Sequence, residues 1–130
     1  MKAKDVENAN NGLYRLINDS TGWLQEKAML CEVGHGWVQV TTPYLDRHHD
    51  YLQFYMRKEG AGYVLTDDGY IINDLIASGY NLDTSKVQEI LIGFGVQMDG
   101  EQLLVESTPD DLSIKMQNFI QALLTLNRLN

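Results

Sequence analysis

Residues 37–66 alternate between apolar and polar side chains, which is the pattern of antiparallel strands that bury one face. Leu52, Phe54 and Met56 would point to one side of a strand, and the intervening tyrosine and polar residues to the other. A glycine-containing turn then allows the chain to return, so the region predicts a three-stranded meander. The predicted strands are residues 37–42, which Pro43 should close, 51–57 and 63–66, with the turn at 59–62.

Helical spacing of apolar residues appears on both sides of this meander. A first amphipathic helix is predicted over residues 5–24, although two asparagines and a glycine weaken it. Asp67 or Asp68 should cap a second helix that Gly79 ends. A third helix should open at Ser85, which has Gln88 three residues later as in a capping box, and a fourth should begin with Thr108 and Pro109.

Asp99-Gly100 lies between two apolar segments and predicts a further β-hairpin. The expected fold is therefore α+β, with a five-stranded antiparallel sheet and helices packed on it. The predicted order is α-β-β-β-α-(α)-β-β-α. A chain of 130 residues is long enough for one domain with a substantial core, and we expect a single domain over residues 1–130.

The last predicted helix carries an apolar stripe with alternating spacings of four and three residues. Such a stripe is typical of a helix that packs on a sheet, and it is wide enough to contribute to a homodimer contact as well. The residues of this stripe are Leu112, Met116, Phe119, Leu123 and Leu126.

The net charge of −8 lies almost entirely in the middle of the chain, because residues 67–111 contain ten acids and one base. An acidic protein is a poor candidate for direct binding to nucleic acid. The acids are explained either as helix caps and solvated positions or as a surface that docks a basic protein. The residues of this predicted acidic surface are Asp67, Asp68, Asp74, Asp83, Glu89, Asp99, Glu101 and Glu106.

No phosphate-binding loop, paired-cysteine zinc pattern or nucleophile elbow occurs in the sequence. We therefore predict no cofactor, no catalytic residue and no metal site. One alternative remains, because the predicted hairpin brings two groups of histidines and carboxylates to the same end. If they converged on a divalent metal, they could hydrolyse phosphodiesters. This alternative set comprises His48, His49, Asp50, Asp67 and Asp68.

The chain also lacks an apolar segment of signal-peptide or membrane-spanning length. Its single cysteine, Cys31, fits a reducing compartment. We expect a cytoplasmic protein that does not bind membranes.

Two segments, PYLDRHHDYLQFY at 43–55 and YVLTDDGYIINDL at 63–75, resemble the bacterial and phage family called domain of unknown function 1828. The resemblance covers about residues 30–105. Its most specific positions are Asp50 and the run Thr66, Asp67, Asp68 and Gly69. It implies a small cytoplasmic protein encoded by phages or mobile elements, and it supplies no catalytic residue.

Three functions follow as hypotheses. The first is a non-enzymatic, acidic interaction module, which in a phage context would inhibit a host defence protein such as a CRISPR nuclease. The second is the metal-dependent hydrolase or nuclease described above. The third is a dimer resembling type III secretion chaperones, which bind unfolded segments, and it rests only on similarity of architecture.

Overall fold

The computed structural model describes residue 17 and residues 29–129. The predicted helix over residues 5–24 lies outside the described residues, except for Ile17, which is helical and fully buried in the core. The strands are β1 (Met29–Gly34), β2 (Trp37–Leu45), β3 (Tyr51–Glu59), β4 (Gly62–Thr66), β5 (Gln97–Asp99) and β6 (Gln102–Ser107). The helices are α1 (Tyr70–Ala77), α2 (Thr84–Gly93) and α3 (Leu112–Asn127). None of these helices is long and apolar enough to cross a membrane.

The α+β class and the antiparallel sheet are confirmed, but the described sheet has six strands in the order β1-β2-β3-β4-β6-β5. The expectation of five strands was wrong because β1 was missed. Glu32 occupies a position of β1 that pairs with buried Val38, so a charge interrupts the alternation there. The turn that follows uses His35 and Gly36, both at positive φ, and lacks the usual Asn-Gly or Asp-Gly signature.

Strand β2 continues through Pro43, which was expected to end it. The register between β2 and β3 shifts after Thr41, so that four steps along β2 span two steps along β3 before Leu45 pairs with Tyr51. Pro43 lacks a backbone N–H, and in this irregular stretch no regular ladder bond is lost.

The starts of α2 and α3 differ from those predicted. Asp83 caps α2 by accepting a hydrogen bond from the backbone N–H of Lys86 at 3.2 Å, so Ser85 lies inside the first turn. Helix α3 begins after Asp111, which exchanges hydrogen bonds with Thr108 in a turn before the helix. The predicted hairpin around Asp99-Gly100 is confirmed as the β5–β6 connection.

One continuous core joins the sheet to the three helices. Alternate residues of the strands face the helices, and Phe54 of β3 meets Phe119 of α3 edge to face, with ring centroids 5.8 Å apart. The apolar stripe of α3, predicted as core or dimer contact, is buried here to 1% exposure or less. These five side chains are therefore core, and none offers surface for a contact with a second copy.

A buried carboxylate joins three of these elements. Asp67, only 1% exposed, follows β4 and accepts a hydrogen bond from the backbone N–H of Leu103 in β6 at 2.9 Å. It also accepts the N–H groups of Gly69 and Ile71 at 3.0 Å each, at the start of α1. Burial raises the pKa of the Asp67 carboxyl above its ordinary value, and the hydrogen bonds from Ile71, Leu103 and Gly69 offset part of that rise.

The N-terminus of α1 thus differs from the prediction that either aspartate caps it directly. The N-cap residue is Gly69, which has no side chain to accept a hydrogen bond. Asp67, two positions upstream, accepts the backbone N–H of Ile71 instead. Asp68 is exposed and adopts a positive φ of 57°, and its backbone N–H donates to the Thr66 hydroxyl.

We expect Asp67→Asn to lower the free energy of unfolding by about 1–3 kcal/mol, because the amide NH2 must face one of the backbone N–H donors that the carboxylate accepts. Urea denaturation measures this loss. The matched control is the exposed neighbour: Asp68→Asn should stay within about 0.5 kcal/mol of wild type. Equal effects of the two substitutions would contradict the role of Asp67.

Candidate functional site

The β2–β3 loop, residues 46–50, is folded around the side chain of Asp46. One oxygen of this buried carboxylate accepts the backbone N–H groups of His48 and Asp50 at 2.8 and 3.0 Å. The backbone N–H of Asp46 also donates to the carbonyl of Asp50 at 2.7 Å. These bonds close the loop and leave the Asp50 side chain exposed at its end.

Arg47 anchors the loop to the helices. Its guanidinium donates to the carboxylate and the backbone carbonyl of Asp74 in α1, both at 3.1 Å, and to the Ser78 hydroxyl at 2.6 Å. Its backbone N–H donates to the buried Asn127 side chain of α3 at 2.7 Å. The ring of His48 lies 2.8 Å from the Asp74 carboxylate. Asp74, one of the predicted docking residues, is therefore already paired within the chain.

A cavity of about 390 Å³ opens beside this loop, where β2 and β3 approach the start of α1. We call it the tyrosine–aspartate cavity. The charged residues of its described lining are all aspartates, and three of the other described lining residues are tyrosines. The lining consists of Thr41, Asp46, Asp50, Tyr51, Leu52, Gln53, Tyr55, Asp67 and Tyr70.

Hydrogen bonds between neighbouring strands arrange the polar wall of the cavity. The Gln53 side-chain amide donates to the Thr41 hydroxyl at 3.2 Å, and Gln39 donates to the Gln53 carbonyl oxygen at 2.9 Å. Register explains this arrangement, because Thr41 pairs with Gln53 and Gln39 with Tyr55. Paired residues share one face of a sheet, and this face is opposite to the one that carries Phe54.

The electrostatic environment of the cavity is negative. The pKa of Tyr70 is raised, first because burial disfavours the phenolate and then because Asp46, Asp74 and Asp50 repel it; Arg47 counteracts this in part. Within the described residues, the Asp50 carboxylate makes no hydrogen bond or ion pair. It is therefore an available negative charge at the edge of the cavity.

The predicted acidic surface is only partly consistent with this geometry. Asp67 is buried and therefore cannot belong to an exposed docking surface, although it lines the cavity. The remaining acids lie outside the cavity lining, on the β4–α1 turn, both short helices, the β5–β6 hairpin and β6. They are Asp68, Asp74, Asp83, Glu89, Asp99, Glu101 and Glu106.

The alternative metal set does not converge either. Asp67 accepts three backbone hydrogen bonds, His48 contacts Asp74, and His49 occupies a positive-φ position of the loop. Across the described part of the chain, no group of three or more histidine, cysteine, aspartate or glutamate side chains is placed to hold a metal ion.

Sequence reasoning missed the tyrosines of the cavity. Tyr51 and Tyr55 were placed on the face of β3 away from the core, and the structure confirms this placement, but their function was not considered. Tyr70 directly follows the Asp-Asp-Gly segment, so only the turn at Gly69 brings it to the same place. The available signal was two tyrosines four residues apart on one face of a strand, beside a loop with two aspartates.

We expect Asp50→Asn to lower the pKa of Tyr70 toward its ordinary value of about 10, because one of the nearby negative charges is removed. The folded-state pKa of Tyr70 is raised, so its contribution to stability is present below pH about 10 and is lost as the pH rises through that folded-state value. Phenolate absorbance against pH, taken as the difference from Tyr70→Phe, measures the shift. Asp99→Asn is the control, and an unchanged Tyr70 titration in Asp50→Asn would contradict the proximity of the two groups.

Comparison with protein families gives a match that covers most of the chain. No curated protein and no solved structure matches the chain. The family described as Domain of unknown function DUF1828 matches residues 42–126, which begins later than the resemblance noted in the sequence and extends through most of α3. This match spans the loop, every described lining residue of the cavity except Thr41, and well over half of the chain, and the protein belongs to the DUF1828 family.

Proposed function

We propose that this protein is a non-enzymatic interaction module that binds a positively charged segment of another protein at the tyrosine–aspartate cavity. The observation that carries the proposal is the composition of this cavity, which combines three tyrosines with aspartates and has no lysine or arginine among its described lining residues. Negative charge next to aromatic surface is complementary to a basic polypeptide.

Apolar surface around the cavity supports this proposal. Leu45 and Tyr51, which pair across β2 and β3, are 52% and 47% exposed, and Tyr70 is 48% exposed. Tyrosine is enriched among the residues that contribute most to protein–protein affinity, because its ring buries a large area at a small entropic cost. A partner that covers these side chains would remove them from water.

Net charge supports the proposal in a second way. The chain carries −8, so a basic partner would be attracted over distances greater than direct contact. Such steering raises the association rate and weakens as salt is added. The acids outside the cavity would contribute to this long-range attraction without touching the partner.

The identity of the partner stays a prediction. A host defence protein such as a CRISPR nuclease is consistent with the proposal, because proteins that bind nucleic acid present basic surfaces. Neither the hydrolase nor the chaperone-like dimer is favoured by a specific contact. Among the described residues no group of three or more metal-ligating side chains converges, and the five side chains of the α3 stripe are buried in the core.

Selection from a random-peptide display library tests this function without knowledge of the natural partner. We expect wild type to enrich peptides with net positive charge. In fluorescence polarisation, their affinity should fall about tenfold in Asp50→Asn, which is the loss expected for one charge-assisted hydrogen bond. Raising NaCl from about 0.05 to about 0.5 M should weaken the same complexes.

The control for this experiment is Asp99→Asn, which makes the same charge change at an exposed position outside the cavity. It should enrich the same peptides with nearly wild-type affinity. Selection of neutral or acidic peptides, or an equal loss in both variants, would contradict the proposal.

A further inference from the structure

The acceptors in the tyrosine–aspartate cavity outnumber its side-chain donors. Carboxylates come from Asp46, Asp50 and Asp67, and Gln53 contributes an amide oxygen. The oxygens of Asp67 and one oxygen of Asp46 already accept backbone N–H groups, and the Gln53 oxygen accepts from Gln39. Asp50, in contrast, keeps its carboxylate available among the described residues. A ligand that fits must therefore bring positive charge together with several hydrogen-bond donors.

Among the residues that the structure describes, no cation supplies these donors. Arg47 directly follows the lining residue Asp46 in the chain, but its guanidinium donates hydrogen bonds to Asp74 and Ser78. The guanidinium of Arg57, on β3, stacks over Trp37 at 4.6 Å and pairs with Glu59. Neither arginine appears in the cavity lining, and no described cation pairs with the Asp50 carboxylate.

The aromatic part of the lining favours a flat cation. Tyr51, Tyr55 and Tyr70 present rings or hydroxyls to the same space. A guanidinium is planar, stacks on aromatic faces, and carries five N–H donors that match a carboxylate in a two-point contact. An ammonium has three donors and no flat face, and a quaternary ammonium has no donor at all. The volume of about 390 Å³ is within the range of small-ligand sites.

We propose that the tyrosine–aspartate cavity receives an arginine side chain of the partner protein, with the guanidinium paired to Asp50 and stacked against the tyrosines. This proposal rests on the function proposed above and specifies which side chain the module reads. The remainder of the partner segment would lie over Leu45, which pairs with Tyr51 of the cavity lining, and over the exposed part of Tyr70.

The test is an NMR titration of the full chain with capped tripeptides, acetyl-Gly-Arg-Gly-amide and its citrulline and lysine counterparts. Citrulline keeps the shape of arginine and removes its charge. We expect saturable shifts of the Tyr51, Gln53, Tyr55 and Tyr70 resonances with the arginine peptide. Binding of the citrulline and lysine peptides should be weaker by about tenfold or more, the change expected when a charge-assisted, two-point contact is lost.

Asp50→Asn should weaken binding of the arginine peptide by a similar factor, whereas Asp99→Asn should bind this peptide with wild-type affinity. Amide spectra of both variants report whether the fold is intact. Equal binding of arginine and citrulline, equal binding of arginine and lysine, or shifts confined to residues outside the cavity would each overturn the inference.

The failure of this inference is distinguishable from failure of the proposed function. Display-selected basic peptides that depend on Asp50, combined with no arginine-specific shifts at the cavity, would retain the interaction module and reject the arginine site. The absence of both would reject the module as well.

Discussion

The three hydrogen bonds that Asp67 accepts fix the connection between the sheet and the first helix, α1. They tie the end of β4 to β6 and to the first turn of α1, so the direction of that helix depends on one buried carboxylate. The position of α1 in turn places Asp74, which binds Arg47. Through Arg47 the β2–β3 loop is held in place, and with it Asp50 at the edge of the cavity.

This sequence of contacts explains why acids that seemed equivalent in the sequence have different roles. Asp67 is structural and buried, Asp46 closes a loop, and Asp74 neutralises an arginine. Asp50 has no such task among the described residues, and it lies beside tyrosines whose rings are partly exposed. Charge alone therefore does not identify the site. The combination of an available carboxylate, aromatic surface and a cavity does.

Much of the fold follows from local patterns. The alternation around Phe54, the Asp99-Gly100 turn and the apolar stripe of α3 each predicted the correct element, because burial of one face dictates those periods. Strand β1 was missed because an edge strand needs less apolar surface, and Glu32 obscured its alternation. The end of β2 was misplaced because a register shift at Pro43 depends on pairing with β3, which the local sequence does not reveal.

The site was harder to predict because it is assembled from distant segments. Residues 46–50 and 66–69 were correctly expected at the same end of the meander, but the function considered for them was metal binding. The oxygens of Asp67 accept backbone N–H groups, so this side chain is not available as a metal ligand. Such backbone hydrogen bonds cannot be seen in the pattern of side chains along a sequence. Tyrosines four residues apart on one strand are also common in sheets without any binding function. Their meeting with Tyr70 in one cavity therefore became apparent only from the structure.

The central claim is that negative charge at position 50 selects a positively charged partner segment, and a charge swap measures this most directly. A display-selected basic peptide and its counterpart with arginine changed to glutamate should be titrated against wild type and Asp50→Lys. The account predicts that wild type binds only the arginine peptide, and that Asp50→Lys loses this peptide and gains affinity for the glutamate one. Unchanged affinity of Asp50→Lys for the arginine peptide would contradict the account.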